Sequence, residues 1–387
     1  MEDSSQNINS QDPIKLGVIG CSLSHAKYHS ALMSLPDIKV TALTDPNKNE
    51  AKAWAREIRN RPAICDDISD LLAQPLDGVL ITTPLLDRSQ AVADALRSDI
   101  PVLVELPFAT DLATMDDLIA LSVHRNVALV PALPRRFDPW VSQMTRLVQE
   151  GEIGSILHTR CTWAWPFEQA PLWLHPDTGG WNLVMQNMIS EAIDLCNLWQ
   201  GDVYSVSADI NAPLLVETRM YGAGVHAEAM LASVITGHQD GQATLQLMRT
   251  RAVRQDERYL LTGSRGQAEL TVSAGPTSDP APRLVLQRAG ETAHTIRPLG
   301  VSEYQQDTPS LRLGRMLQNF VKIVRGEETD SVPLPLVRSL LEVVHASFVS
   351  TCEQTKVVLP MRRTPKLFDL LHSMQAVPRE LPPAPRA

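Results

Sequence analysis

The stretch Lys15–Leu32 constrains the fold most, because a strand, a tight turn and a helix follow one another within it. A short apolar run stops at Gly20, small and polar residues follow, and helical spacing resumes with Ala26, His29 and Leu32. This order is typical of the opening of a βαβ unit. The first helix of such a unit directs unpaired backbone N–H groups at a ligand above the strand, usually a pyrophosphate.

The alternation of strand and helix continues through residues 14–130. The predicted strands are Ile38–Leu43, Asp77–Thr82, Val102–Glu105 and Val127–Val130, and the predicted helices are Asn49–Arg59, Ser89–Arg97 and Asp111–Val123. Strands that alternate with helices of this length predict a doubly wound α/β domain, a parallel sheet with helices on both faces. The ligand of such a sheet lies at the carboxyl ends of its strands.

The pattern changes after residue 135, where strands and turns predominate. The predicted strands are Ile156–Trp165, Val203–Ile210, Ala227–Ile235, Ala243–Thr250, Arg258–Thr262, Ala268–Val272, Arg283–Gln287 and Val357–Leu359, and the predicted helices are Trp140–Glu150, Asn182–Trp199, Ser310–Arg325 and Leu336–Gln354. Such a run predicts an open antiparallel sheet. We therefore divide the chain into a flexible N-terminus (1–13), a parallel-sheet domain (14–134), a second α/β domain (135–360) and a proline-rich tail (361–387) with a short helix near Leu367–Met374.

Composition excludes several classes of protein. A chain of 387 residues is too long for one average core, and its net charge of −9 argues against a nucleic-acid binder. The five cysteines are scattered and form no CxxC pair, which predicts a reducing compartment and no zinc ribbon. Residues 1–13 lack an apolar segment and no run reaches about 18 apolar residues, so we expect no signal peptide, no membrane contact and a cytoplasmic protein. His124, His238 and His345 have no partners at metal-ligand spacing, and no metal is expected.

Several short strings between Ile14 and Pro360 occur in an order that is specific for one family. They are Gly17–Cys21, Leu43–Asp45, Ile81–Pro84, Val102–Glu105 before Pro107, Arg136–Pro139, Gly151–Gly154, Leu261–Ala268 and Val357–Pro360. In these strings the chain resembles the Gfo/Idh/MocA family, named for glucose–fructose oxidoreductase and inositol dehydrogenase. The resemblance implies a Rossmann domain, then an α/β domain whose large open sheet often forms a homo-oligomer. It also implies NAD(P)-linked oxidation or reduction of a sugar, polyol or similar small molecule.

The glycine loop departs from the family pattern G-x-G-x-x-G/A. Gly20 is kept, but Ser22 and His25 stand at the second and third positions, and Tyr28 stands where the family often has His. A serine hydroxyl can itself bind phosphate, whereas the imidazole of His25 must swing out or push the helix away from the strand. The loop therefore predicts an altered dinucleotide site that still uses Gly20 and Ser22.

Asp45 directly follows the second predicted strand, where a carboxylate can accept from ribose hydroxyls and disfavour a 2′-phosphate. NAD is therefore expected in preference to NADP. The alternative is that Asp45 only caps the turn Thr-Asp-Pro. The resemblance further implies cofactor contacts for the residues that end the later strands, Thr82, Thr83, Pro84 and Glu105.

Two catalytic motifs of the family are also changed. Its Glu-Lys-Pro motif reads Glu105-Leu106-Pro107, and with no lysine beside it we expect the pKa of Glu105 to be raised by burial. Its D-x-G-x-H-x-x-D stretch matches a segment that ends at Asp194. This match places Asn187 at the family's first Asp and Glu191 at its His, and a shift of the alignment by a residue or more would change both assignments. These positions share one helix face that lines a site or is simply solvated.

Tryptophans are concentrated near the predicted domain junction. Strand alternation places Trp163 and Trp165 on one face, and the loop that follows contains Trp173 and His175. Aromatic faces with a few polar groups suit a sugar ring, so Trp165, Trp173 and His175 are predicted to bind substrate, with Asn187 and Glu191. The alternative is that some of these tryptophans only wedge the domains together.

We therefore predict an NAD-linked oxidoreductase for a sugar-like small molecule, with Glu191 and Glu105 as candidate catalytic residues. With Leu106 and no His, proton transfer needs Glu191, a water or the substrate itself, and Glu105 or Glu191 is the candidate general base for non-redox chemistry. Two alternatives remain open. The chain could bind a sugar or dinucleotide without turnover, as a sensor or partner subunit, or it could perform elimination, epimerisation or hydrolysis on the same scaffold.

Overall fold

The computed structural model describes residues 12–165, 182–218, 224–250, 255–274, 282–298, 309–328 and 332–362. The first domain contains β1 (Ile14–Ile19), α1 (Cys21–Ser34), β2 (Ile38–Thr44), α2 (Lys48–Glu57), β3 (Ala63–Ile64), α3 (Ile68–Leu72), β4 (Gly78–Ile81), α4 (Leu85–Arg97), β5 (Val102–Glu105), α5 (Leu112–Arg125), β6 (Leu129–Ala132) and a 3₁₀ turn (Pro134–Phe137). The rest contains α6 (Pro139–Gln149), β7 (Ile156–Trp165), α7 (Asn182–Gln200), β8 (Val203–Thr218), β9 (Gly224–His238), β10 (Gln242–Thr250), β11 (Gln255–Gly263), β12 (Gly266–Ala274), β13 (Arg283–Arg288), β14 (His294–Ile296), α8 (Pro309–Val324), α9 (Leu334–Glu353) and β15 (Val357–Val358).

The first sheet has six parallel strands in the order β3-β2-β1-β4-β5-β6. Strand β4 is apolar along its whole length, and β1 is apolar except at the exposed Lys15, because helices cover both faces of the sheet. The order reverses at β1, so the crevice above the carboxyl ends of β1 and β4 is the expected ligand position. The predicted doubly wound fold is confirmed, and the short elements β3 and α3 had not been predicted.

The second sheet has nine strands in the order β14-β13-β12-β11-β7-β10-β9-β8-β15. All neighbours are antiparallel except β7 and β10, which run parallel. One face packs beneath α6, α7 and α9, where Trp163 and Tyr259 lie fully buried. The predicted large, mostly antiparallel sheet is therefore confirmed. No described helix is long and apolar enough to cross a membrane.

Helix α8 follows the second sheet along the chain but packs on the first. Leu317 and Phe320 lie in the same apolar cluster as Leu16 and Tyr28, and α8 contacts α1. Arg325, just after α8, donates to Asp37 at 3.1 Å in front of β2. A helix that the sequence placed in the second domain thus completes the core of the first.

Candidate active site at the carboxyl ends of the parallel strands

Gly20 closes the gap between the loops that follow β1 and β4. Its φ is +93°, and a Cβ there would lie 2.7 Å from the backbone nitrogen of Thr83. The hydroxyl of Thr82 donates to the carbonyl oxygen of Gly20 at 2.6 Å. Only glycine fits this close backbone approach. A side chain would collide with the neighbouring loop, and the residue would also need a positive φ that L residues rarely adopt.

Asp45 directly follows β2 and lies buried at the start of α1. One carboxylate oxygen accepts from the backbone nitrogen of Cys21 at 2.6 Å, and the other accepts from that of Asn47 at 2.8 Å. Asp45 therefore does cap the turn, as the alternative interpretation predicts. The same carboxylate also stands at the positive end of α1, the position that the cofactor prediction requires.

Glu105 ends β5, and two consecutive residues of α1 reach it. The Lys27 ammonium lies 2.7 Å from Oε1, and the Tyr28 hydroxyl donates to that same oxygen. Burial alone raises the pKa of Glu105, but the charge of Lys27 and the bonds from Lys27 and Tyr28 outweigh it, so the pKa is lowered. The expectation of a raised pKa was wrong, because the compensating lysine comes from α1 and not from position 106.

Arg88, which the sequence reasoning missed, holds the loops after β4 and β5 together. Its buried guanidinium donates to the carbonyl oxygens of Thr83 at 2.7 Å and Pro107 at 2.7 Å. The Leu106–Pro107 bond is cis, and the side chain of Leu106 is buried in the apolar core. The only signal in the sequence was an arginine on the otherwise apolar buried face of α4.

Arg135, in the 3₁₀ turn after β6, reaches into the second domain. Its Nε lies 2.8 Å from Glu191 of α7, and its terminal nitrogens bind both oxygens of Glu257 on β11. Its guanidinium lies 4.2 Å from the ring centroid of Trp163. Glu257 is fully buried, and it holds the pKa of Arg135 well above the usual range although burial alone would lower it. Sequence reasoning identified Glu191 but missed Arg135 and Glu257, which lie far apart along the chain.

Two of the three residues on the predicted polar face of α7, Glu191 and Asp194, pair with arginines. Arg136 forms a bidentate pair with Asp194, with nitrogen–oxygen distances of 2.8 and 2.7 Å, and Asp194 is buried. Burial raises the pKa of Asp194 although Arg136 opposes it. The solvated alternative is therefore wrong for Glu191 and Asp194, which meet consecutive arginines.

Trp165 stacks on Trp163, with ring centroids 5.3 Å apart and ring planes 5° apart. Its indole nitrogen donates to Glu257 at 3.1 Å, so the ion-paired carboxylate also orients this ring. The predicted shared face of the two tryptophans is confirmed. Trp173 and His175, and the side chains of Ser22, His25 and Asn187, lie outside the described part of the chain.

Both candidate carboxylates influence Tyr28. Burial is the largest cause that raises the pKa of Tyr28 well above its usual value, and the charge and hydrogen bond of Glu105 raise it further. The charge of Glu191 raises it as well, so the α7 carboxylate lies within electrostatic range of the Tyr28–Glu105 pair. Glu105 ends β5 and Glu191 pairs with Arg135 in the turn after the neighbouring strand β6, so both residues predicted from the sequence lie near the same edge of the parallel sheet.

The residues at the ends of β1, β2 and β4 fit a dinucleotide. Gly20 brings the loop after β1 directly against the loop after β4, and Asp45 provides a buried carboxylate at the α1 terminus. Within the described ranges, the buried hydroxyl of Thr83 has no hydrogen-bond partner. The described residues contain no group of three or more His, Cys, Asp or Glu that could hold a metal ion.

Two family models match the chain in sequence. The model described as "Oxidoreductase family, NAD-binding Rossmann fold" matches residues 14–132, and the "GFO/IDH/MocA C-terminal domain" matches residues 141–269. Among curated relatives, the chain is 27% identical over 143 residues to the oxidoreductase YrbE of Bacillus subtilis, which is 37% of this chain and 42% of the relative. It is 28% identical over 145 residues to an inositol 2-dehydrogenase of Gluconacetobacter diazotrophicus, or 37% and 43%. The chain thus spans under half the length of these relatives.

The fold also matches solved structures. An oxidoreductase from Agrobacterium radiobacter, solved in complex with NAD+, L-tartaric acid and magnesium, superimposes with a TM-score of 0.72 at 16% identity. The match covers 89% of this chain and 98% of that chain. At this identity the likeness establishes the shared fold, which extends over both sheets.

Proposed function

Since this chain belongs to the Gfo/Idh/MocA family of oxidoreductases, we propose that it transfers hydride between NAD and a sugar or cyclic polyol. The proposal depends on one observation: Glu105 ends β5, and Arg135, in the turn after the neighbouring strand β6, holds Glu191. Carboxylates at that edge are placed to accept the proton that an alcohol loses on oxidation.

Gly20, Asp45 and Thr83 are the residues that would hold the cofactor. We assign the pyrophosphate to the backbone after Gly20 and a ribose hydroxyl to Asp45, with Ser22, Thr82 and Pro84 completing the cradle. A carboxylate at the ribose disfavours a 2′-phosphate, so NAD is preferred over NADP. When bound, NAD accepts hydride from the carbon that carries the reacting hydroxyl.

Glu191 is the general base in this proposal. Arg135 binds its Oε2 at 2.8 Å, and the side chain remains 22% exposed, so it is both oriented and reachable from the cleft. When the substrate carbon gives up hydride, the hydroxyl proton passes to Glu191. Glu105 contributes by holding the charged side chain of Lys27 at the end of β5.

The substrate binds where Trp165 borders the cleft. An aromatic face suits the C–H side of a sugar ring, and Glu257 and Trp163 hold the Trp165 ring in place. Trp173, His175 and Asn187 remain proposed substrate contacts. The face of the second sheet opposite α7 exposes Ile235 among polar residues, and we assign homo-oligomerisation to it.

The test is calorimetric titration of the purified protein with NAD+, NADH and NADP+, followed by absorbance assays with myo-inositol and a panel of sugars. Micromolar NAD+ binding and substrate-dependent NADH formation would support the proposal. Failure to bind any form would refute it. Binding of cofactor and sugar without turnover would instead identify a non-catalytic sensor or partner subunit.

A further inference from the structure

Lys27 occupies an unusual position at the end of β5. Its ammonium lies 2.7 Å from Oε1 of Glu105, the oxygen that also accepts from Tyr28. Tyr28 is fully buried, whereas the side chain of Lys27 is 40% exposed. Tyr28 therefore approaches the carboxylate from the protein interior, and Lys27 approaches it from the exposed side.

We propose that Lys27 is the catalytic cation of this site and donates a hydrogen bond to the substrate oxygen that reacts. The proposal rests on the proposed function. Position 106 cannot supply this group, because Leu106 is apolar and buried in the core. Arg88 cannot supply it either, since its guanidinium is buried and engaged by the carbonyl oxygens of Thr83 and Pro107.

The chemistry requires a cation at this point. When the substrate O–H bond breaks, its proton moves to Glu191 and its electron pair remains on oxygen as negative charge. As the carbonyl π bond forms, the C–H electron pair leaves with the hydrogen as hydride to bound NAD. An ammonium beside the oxygen stabilises the developing charge, and it acts more strongly in a partly desolvated cleft than in water. Glu105 is then a positioning residue that fixes Lys27.

Two features of the cleft support the assignment. The ammonium binds Glu105 at the end of β5, and Arg135 in the turn after the neighbouring strand β6 binds the proposed base Glu191, so both groups belong to the same edge of the parallel sheet. The ammonium also lies 5.4 Å from the Tyr28 ring centroid, a second contact that restricts its motion.

The experiment compares Lys27→Met, Lys27→Arg and a matched control, Lys52→Met, on the exposed side of α2. At saturating NAD+, we expect K27M to lower kcat by about 10²–10³-fold while the Kd for NAD+ stays within about threefold. K27R keeps the charge and should stay within about tenfold of the native kcat. K52M should match the native protein. The K27M rate should rise toward higher pH, because the hydroxyl loses the cation that favours its ionisation.

A second readout does not depend on turnover. Peptide mass spectrometry measures how fast an acylating reagent modifies Lys27 and Lys52, without ligand and with NAD+ plus a substrate from the panel. Substrate should slow modification of Lys27 alone. A native kcat in K27M, or equal modification of Lys27 with and without substrate, would overturn the Lys27 assignment and leave the proposed function intact. Absence of NADH formation by the native protein with every substrate would overturn both.

Discussion

Nε of Arg135 lies 2.8 Å from Oε2 of Glu191, and this contact joins the last turn of the parallel-sheet domain to the long helix of the second domain. The same guanidinium holds both oxygens of Glu257, which is fully buried. One side chain therefore connects the two sheets and orients the proposed base, so its removal should affect stability and catalysis together.

Arg135→Met should destabilise the fold by about 3–5 kcal/mol, because it leaves the buried charge of Glu257 without a partner. The matched control is Arg258→Met on the same strand as Glu257, since Arg258 forms an exposed pair with Asp256 at 2.9 Å and should lose about 0–1 kcal/mol. Urea denaturation measures both. Equal midpoints for the two variants would show that the buried pair adds no stability.

Glu191→Gln should lower kcat about 10²–10⁴-fold, because the amide keeps the size of the side chain but cannot take a proton. Binding of NAD+, measured by calorimetry, should be unchanged. Glu150→Gln, at the position just after α6, is the control, because Glu150 forms an exposed pair with Arg146. Unchanged turnover in the double variant E105Q/E191Q would remove both carboxylates from the mechanism.

Gly20→Ala should abolish measurable NAD+ binding and lower the free energy of unfolding by about 1–3 kcal/mol. The new Cβ would lie 2.7 Å from the nitrogen of Thr83. Gly290→Ala is the control that separates backbone strain from steric collision. Gly290 also has a positive φ, +80°, but nothing lies within 4 Å of its added Cβ. Thermal unfolding should show a clearly larger loss for G20A than for G290A, and similar losses would contradict the close backbone approach.

Asp45→Ser should weaken NAD+ binding about tenfold or more and reduce the preference over NADP+, because the ribose loses its carboxylate acceptor. Competitive calorimetry with the two cofactors measures the change in preference. Asp117→Ser, at an exposed position of α5, should leave both affinities unchanged. If D45S keeps the native preference, Asp45 serves only the turn and the helix terminus.

His345 on α9 should make the protein less stable in acid. Burial lowers its pKa from 6.5 to about 4, although the charge of Asp111 opposes the shift. As the pH falls, the unfolded chain therefore takes up the proton before the folded chain does. The stability that neutral His345 contributes is complete above pH 6.5 and is lost between pH 6.5 and about 4. The loss reaches about 3 kcal/mol. Denaturation at several pH values should show a flatter dependence for His345→Gln than for the exposed control His124→Gln.

Local sequence patterns predicted most of the fold. Apolar runs and helical spacing identified the strands and helices because each depends on residues close together in the chain. Gly20 and Asp45 were found for the same reason, since each ends a strand whose position was already predicted. Glu191 was located because the family resemblance matches it to the motif His when Asp194 is matched to the final Asp. Helix α8 was predicted as a helix within residues 135–360, but it packs on the first sheet.

The sequence by itself determined two kinds of sheet, their order along the chain, and which polar residues end the strands. The tertiary structure alone decided which charges meet. Lys27 lies 78 residues from Glu105, and Arg135 lies 122 residues from Glu257, so no local periodicity relates either pair. Their contacts depend on how the helices pack on the sheets, and on the high free-energy cost of burying a charge without a partner. For that reason Glu105 has a lowered pKa, although its sequence neighbours predict the opposite.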